Sequence, residues 1–136
     1  MPYKILEHPA DEKFRAEGET VEEAFSEAVK AFSEIVGGDE GMYHHKVSVE
    51  SKGYEALLFD FLDELIFLQD TEGVVVSHAE DLEIEDTGKG HRLTAKILVD
   101  DISDKMALLD IKAPTYSEMK VDHEDGKWIL EAVLDI

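Results

Sequence analysis

Residues 18–38 read G-E-T-V-E-E-A-F-S-E-A-V-K-A-F-S-E-I-V-G-G, and this stretch decides the fold class. Thr20 is placed to cap a helix, with Glu23 three residues later, which is the capping-box pattern. Gly37 and Gly38 can adopt the left-handed conformation that ends a helix. The residues between them predict an amphipathic helix, because apolar side chains recur at a spacing of 3.6 residues: Val21, Ala24, Phe25, Ala28, Val29, Phe32 and Ile35.

A second helix is predicted at about residues 54–68. Its apolar positions cover more than a narrow stripe, so we expect it to be buried deeply against a sheet. These positions are Leu57, Leu58, Phe61, Leu62, Leu65, Ile66 and Leu68.

Short runs with strand character surround the two helices. They occupy residues 3–7, 13–17, 46–50, 74–77, 82–85, 91–99, 111–116, 119–122 and 127–136. Asp125 and Gly126 predict a tight hairpin between the last two runs. Because helices come early and strands late, we expect an α+β fold, a two-layer sandwich with both helices on one face of the sheet. A chain of 136 residues with 43% hydrophobic content should form one domain over residues 1–136.

The charge balance is strongly acidic, with 33 acidic and 13 basic residues and a formal net charge of −20. Such a field repels nucleic acid, so no direct RNA or DNA binding is expected, whereas a basic protein or a cation would be attracted. There is no cysteine, which fits a reducing compartment. No signal-like segment and no stretch of roughly 18 apolar residues is present, so we expect a cytoplasmic protein without membrane association.

Common catalytic and metal-binding motifs are absent from the sequence. The chain has no phosphate-binding glycine loop, no G-x-S-x-G motif and no H-E-x-x-H motif. Neither helix carries two histidines at the spacing of a zinc site. The six histidines are His8, His44, His45, His78, His91 and His123.

Two carboxylates stand out by their positions. Asp11 ends the segment H-P-A-D, residues 8–11, which interrupts the first two strand-like runs. Pro9 in that segment cannot donate a backbone hydrogen bond, which favours a break in the chain there. Asp135 is the next-to-last residue of the final run, among apolar neighbours. Such a carboxylate either frays into solvent or is held there for a purpose.

Five segments, taken in order, resemble the archease family. They are H-P-A-D, the helix E-T-V-E-E-A-F-S-E-A, the helix L-L-F-D-F-L-D-E-L-I-F-L, the late I-K-A-P-T-Y-S and the terminal W-I-L-E-A-V-L-D-I. The resemblance runs from Tyr3 to Ile136 and implies a mixed β-sheet with two helices on one face.

The resemblance also implies a function. Archeases activate an RtcB-type RNA ligase in tRNA splicing: they promote guanylylation of the ligase and its repeated turnover, and they are not themselves enzymes. A chaperone role towards a tRNA methyltransferase is the alternative. A small metal-dependent hydrolase ranks lowest, since no positioned base or nucleophile accompanies the carboxylates.

The family's site residues fall on particular positions of this chain. The resemblance implies a metal site formed by Asp11, Asp135 and the terminal oxygen of Ile136, and it assigns activation of the partner to Lys112. These hard oxygen donors suit calcium first, with magnesium or manganese as alternatives. The sequence departs from the family pattern at four positions: Pro9, Glu12, Lys13 and Ser117.

Overall fold

The computed structural model describes residues 2–6, 11–38, 40–103, 106 and 108–136. His8 and Pro9, which the sequence analysis singled out, lie outside the described residues. The elements in chain order are β1 (Tyr3–Leu6), β2 (Asp11–Gly18), α1 (Val21–Val36), β3 (Tyr43–Ser51), α2 (Tyr54–Glu72), β4 (Val74–Asp86), β5 (His91–Asp101), β6 (Ala113–Glu124) and β7 (Lys127–Asp135).

Helix α1 begins and ends as the sequence predicts. The Thr20 side chain accepts a hydrogen bond from the Glu23 N–H at 3.1 Å, and the Glu23 carboxylate accepts one from the Glu19 N–H at 3.0 Å. The capping box is therefore present, although its return bond reaches the residue before the cap. At the other end, Gly37 has φ 93°, and the N–H groups of Gly37 and Gly38 both donate to the Ser33 carbonyl.

Loss of the Thr20 hydroxyl should loosen the start of α1. We expect Thr20→Ala to lower the free energy of unfolding by about 1 kcal/mol, because the Glu23 N–H loses its acceptor. Thr20→Ser keeps the oxygen and should retain most of that stability. Urea unfolding followed by circular dichroism measures both variants, and an equal loss in the two would show that the hydroxyl is not the cause.

The strands form two sheets, whereas the sequence led us to expect one. The first has the order β1-β2-β7-β6 and the second the order β3-β5-β4, and all pairings among the described strands are antiparallel. Helix α1 contacts β2 and β4, and α2 contacts β6 and β3, so each helix touches both sheets. The predicted α+β class with two helices is confirmed.

Two pairs of predicted strands are single strands interrupted by bulges. Strand β4 joins residues 74–77 and 82–85, with register shifts after Val76 and after Glu80. Strand β6 joins the predicted runs 111–116 and 119–122, although it begins only at Ala113, with a shift between Thr115 and Lys120. The predicted hairpin between β6 and β7 is confirmed, since Asp125 and Gly126 have φ values of 50° and 75° and Glu124 pairs with Lys127.

The core lies between the helices and the inner faces of the sheets. Phe14 and Ala16 of β2 pair with Ala132 and Leu130 of β7, and all four are fully buried. The largest fully buried side chains include Phe14, Phe25, Phe32, Phe61, Leu58, Leu65, Leu93 and Ile97. No described helix is long and apolar enough to cross a bilayer.

Tyr54 at the start of α2 links the two sheets. Its ring stacks on His91 of β5 with a centroid distance of 4.1 Å, and it meets the edge of Trp128 in β7 at 5.2 Å. Trp128 in turn stacks on His123 of β6 at 4.7 Å. This row of rings lies at the beginning of β7, so the candidate site described next, at the end of β7, occupies the opposite end of the first sheet.

Candidate metal centre

Asp11 and Asp135 lie directly opposite each other in the first sheet. Asp11 is the first residue of β2 and Asp135 the last of β7, and the two are register partners in an antiparallel pair. Side chains of such partners share one face, with Cβ atoms about 4.5–5.5 Å apart. The alternate residues Phe14 and Leu134 are buried in the core, so the aspartates lie on the face away from the helices.

Lys112 and Ile136 lie beside this pair of aspartates. The Lys112 N–H donates to the Asp135 carbonyl at 2.8 Å, and the next residue, Ala113, is the register partner of Asp135 in β6. The Lys112 side chain is exposed. The Ile136 side chain packs against the core, which fixes the backbone next to Asp135. The structure thus brings Asp11 and Lys112, which are far apart in sequence, next to the adjacent residues Asp135 and Ile136.

The donor set of this site fits a hard divalent cation. Two carboxylates on directly opposite positions repel each other, and a cation between them removes that cost. Carboxylate and main-chain oxygens are the ligands that calcium and magnesium prefer. Within the described ranges, no group of three or more His, Cys, Asp or Glu side chains could hold a metal ion. Asp11 and Asp135 would therefore need oxygens of Ile136 and water to complete the coordination.

Another pair of aspartates, in the second sheet, is not a comparable candidate. Asp100 and Asp101 end β5, and Asp100 is buried and accepts a hydrogen bond from the Gly41 N–H at 2.9 Å. The Tyr43 hydroxyl donates to Asp101 at 2.6 Å, and this hydrogen bond raises the pKa of Tyr43. Both carboxylates are thus engaged within the protein, as parts of its structure.

The candidate site lies at strand ends and outside an acidic cavity near the start of α1. A cavity of about 720 Å³ is lined by acidic side chains of α1 and the preceding turn, such as Glu19 and Glu23. Asp11, Lys112 and Asp135 do not line it. An open site of this kind suits contact with another macromolecule better than enclosure of a small substrate.

One feature next to the site was not predicted from the sequence, the insertion in β6. The register shift in β6 places residues 116–119 opposite Ala132 alone, and Glu118 in this insertion has φ 59°. The Glu118 carboxylate contacts the Lys13 ammonium at 3.3 Å. Ser117, one of the departures from the family pattern, donates its N–H to the Thr115 hydroxyl at 2.8 Å. The only signal in the sequence was the gap between the predicted strands 111–116 and 119–122.

Comparison with known sequences gives a match over nearly the whole chain. A sequence model of the Archease protein family (MTH1598/TM1083) matches residues 3–136. The chain is 37% identical to protein archease of Pyrococcus abyssi over 140 aligned positions, covering 98% of both chains. It is 32% identical to protein archease of Methanopyrus kandleri, covering all of both chains.

Comparison with solved structures agrees with the sequence matches. The solution structure of Methanobacterium thermoautotrophicum protein 1598 superposes with a TM-score of 0.85 at 29% identity, covering 99% of both chains. The crystal structure of an archease from Thermotoga maritima, described as a possible chaperone, gives a TM-score of 0.63 at 22% identity and covers 98% of this chain and 96% of that one. At this low identity the second likeness concerns the fold alone.

Proposed function

Because this chain belongs to the archease family, we propose that it is a non-enzymatic, cation-binding activator of an RtcB-type RNA ligase in tRNA splicing. It promotes guanylylation of the ligase and repeated turnover, and it acts in the cytoplasm. One observation carries the proposal beyond family membership. Asp11 and Asp135 are register partners, and the Lys112 N–H donates a hydrogen bond to the Asp135 carbonyl. All three residues therefore lie at the same end of the first sheet.

Asp11, Asp135 and an oxygen of Ile136 hold the cation in this proposal. Antiparallel pairing fixes the two carboxylates with their side chains on one face, and the packed Ile136 side chain anchors the backbone beyond Asp135. Calcium is the preferred ion, with magnesium or manganese as alternatives, because all the donors are hard oxygens. A bound divalent ion supplies positive charge and open coordination positions for oxygen ligands.

Lys112 contacts the partner in this proposal. Its backbone is fixed by the bond to Asp135, while its ammonium extends into solvent, where it can pair with carboxylate or phosphate oxygens of the ligase complex. We expect Lys112→Met to remove most of the stimulation and to leave calcium affinity within about a factor of three, since the exposed ammonium is screened by solvent and salt.

The matched control for this variant is Lys89→Met in the turn between β4 and β5, which removes the same charge from another exposed lysine. It should stimulate the ligase like the wild type. An equal loss in both variants would trace the effect to net charge and would remove the specific role of Lys112.

The net charge of −20 suits association with a basic protein, and a ligase that grips tRNA needs a basic surface. Complementary charge speeds the encounter of the two proteins, and salt screens it. The same charge disfavours direct binding of RNA by this protein.

Multiple-turnover ligation tests the proposal. Limiting ligase, excess RNA halves, GTP and manganese are mixed with and without this protein, and the product formed per ligase is counted. We expect several rounds of product only in its presence. A product yield that stays the same with and without the protein would contradict the proposal.

A chaperone for a tRNA methyltransferase is the second candidate; the Thermotoga maritima archease is itself described as a possible chaperone, with no client named. This role uses the acidic surface and needs neither Asp11 nor Asp135. Protection of the methyltransferase from aggregation that survives alanine at both positions, without any effect on a ligase, would favour it.

A further inference from the structure

Lys13 and Glu118 form a charge pair next to the two aspartates. Lys13 is the register partner of Val133 in β7, and Val133 is the register partner of Thr115 in β6. The insertion that follows Thr115 brings the Glu118 carboxylate to 3.3 Å from the Lys13 ammonium, although 105 positions separate the two residues in sequence. The pair therefore spans β7 from the strands on either side.

This pair lies on the same face as the candidate metal centre. Side chains alternate along β2, so Lys13 and Asp11, two residues apart, share the face away from the core residue Phe14. Val133 belongs to that face as well, yet only 1% of it is exposed. Its register partners on either side are Lys13 and Thr115, and the Lys13 side chain is itself only 16% exposed.

The ammonium of Lys13 is close enough to influence a cation at the site. Asp135 is the diagonal neighbour of Lys13 across β2 and β7, and such neighbours lie about 7–8 Å apart, within reach of long side chains. This separation of the two positions does not exceed the Debye length of about 8 Å to 10 Å at ordinary salt, so the charges of their side chains are only partly screened. The positive charge of Lys13 disfavours a divalent cation at the site, and the negative charge of Glu118 offsets that effect.

We propose that Lys13 and Glu118 together set the cation affinity of the Asp11–Asp135 site, with Lys13 lowering the affinity and Glu118 restoring it. The inference rests on the proposed cation site and adds two residues that are not ligands. The simpler alternative is that the pair only fastens the insertion in β6 to the sheet. In that case the loss of either partner would loosen the same contact and change the cation affinity in the same direction.

Calorimetric titration with calcium at fixed ionic strength separates the two alternatives. We expect Lys13→Met to tighten binding by about three- to tenfold, because a repelling charge is removed near two carboxylates. Glu118→Gln should weaken binding by about threefold, since Lys13 loses its counter-charge. The double variant should lie within about threefold of the wild type. Methionine keeps most of the length and the apolar stem of lysine, so the substitution mainly removes the charge.

Lys127→Met is the matched control. Lys127 begins β7, eight residues from Asp135, which places it about 27 Å away in an extended strand. The substitution removes the same charge as Lys13→Met, but at a distance where screening is nearly complete, so calcium affinity should not change. The unfolding midpoint of each variant, measured without calcium, shows whether the fold is retained.

The outcomes distinguish this inference from the function on which it rests. If the wild type binds calcium and Asp135→Asn does not, but the Lys13 and Glu118 variants change affinity in the same direction or not at all, the charge-pair inference is wrong and the site stands. If the wild type and Asp135→Asn show equal affinity or no binding, the cation site itself is wrong and the inference falls with it.

Discussion

Asp135→Asn is expected to abolish most of the stimulation of ligase guanylylation and to weaken calcium binding by at least about tenfold. Asparagine keeps the size of the side chain and one oxygen, but it removes the negative charge directly opposite Asp11. A hard cation binds mainly through carboxylates, so neutralising one of the two carboxylates should greatly reduce the affinity for the cation. Asp11→Asn should behave in the same way, since the two positions are partners.

Stability provides a second measurement for the same substitution. Without a cation, the two opposed carboxylates repel, so Asp135→Asn should leave the free energy of unfolding unchanged or raise it slightly. Calcium should stabilise the wild type and not the variant, because only a bound ligand shifts the unfolding equilibrium. A variant that loses stability in the absence of calcium would indicate a structural role for the carboxylate.

Asp125→Asn is the matched control for this prediction. Asp125 lies in the hairpin at the other end of β7 and has φ 50°, a conformation that asparagine also accepts. The substitution therefore removes one carboxylate charge, as Asp135→Asn does, but it does so without backbone strain and far from the site. It should retain both stimulation and calcium binding, and a loss equal to that of Asp135→Asn would show that only net charge matters.

Phe61→Ala is expected to cost about 3–5 kcal/mol of folding free energy, the largest effect on stability that we predict. Phe61 is fully buried in α2, and its ring lies 6.3 Å from that of Phe25 in α1. Alanine leaves a cavity between the helices that close-packed neighbours can fill only in part. Because domains of this size are stable by roughly 5–15 kcal/mol, the variant should be partly unfolded well below the wild-type midpoint.

Phe67→Ala in the same helix tests the cause. Phe67 is 60% exposed, so its removal opens no cavity and should change stability by no more than about 0.5 kcal/mol. Urea unfolding followed by circular dichroism and by the single tryptophan, Trp128, compares the two variants. Equal losses would mean that burial does not determine the cost, since alanine has the higher helix propensity at both positions.

The parts of the fold that were predicted from sequence depend on interactions between close neighbours in the chain. The cap at Thr20, the glycine end of α1 and the hairpin at Asp125 involve residues within five positions of one another. Residue type and spacing describe such contacts directly. Alternation of apolar residues likewise identified the strands, because it shows which face of a strand is buried.

The division into two sheets and the bulges could not be predicted in this way. The alternation of apolar residues in one strand does not indicate which other strand pairs with it. Residues such as Tyr116 and Ser117 give no local sign that β6 continues past them. The contact between Lys13 and Glu118 depends on that bulge, so it too was inaccessible from sequence. Asp11 and Asp135 were grouped by family resemblance, and their register pairing gives a physical account of that grouping.

The most direct test of the central claim is the rate at which an RtcB-type ligase incorporates labelled guanylate. The ligase is mixed with GTP and manganese, and the initial rate is measured with no addition, with this protein, and with its Asp135→Asn variant. Our account predicts a clear rise in the rate with the wild-type protein and little or none with the variant. An initial rate that is the same in all three mixtures would contradict it.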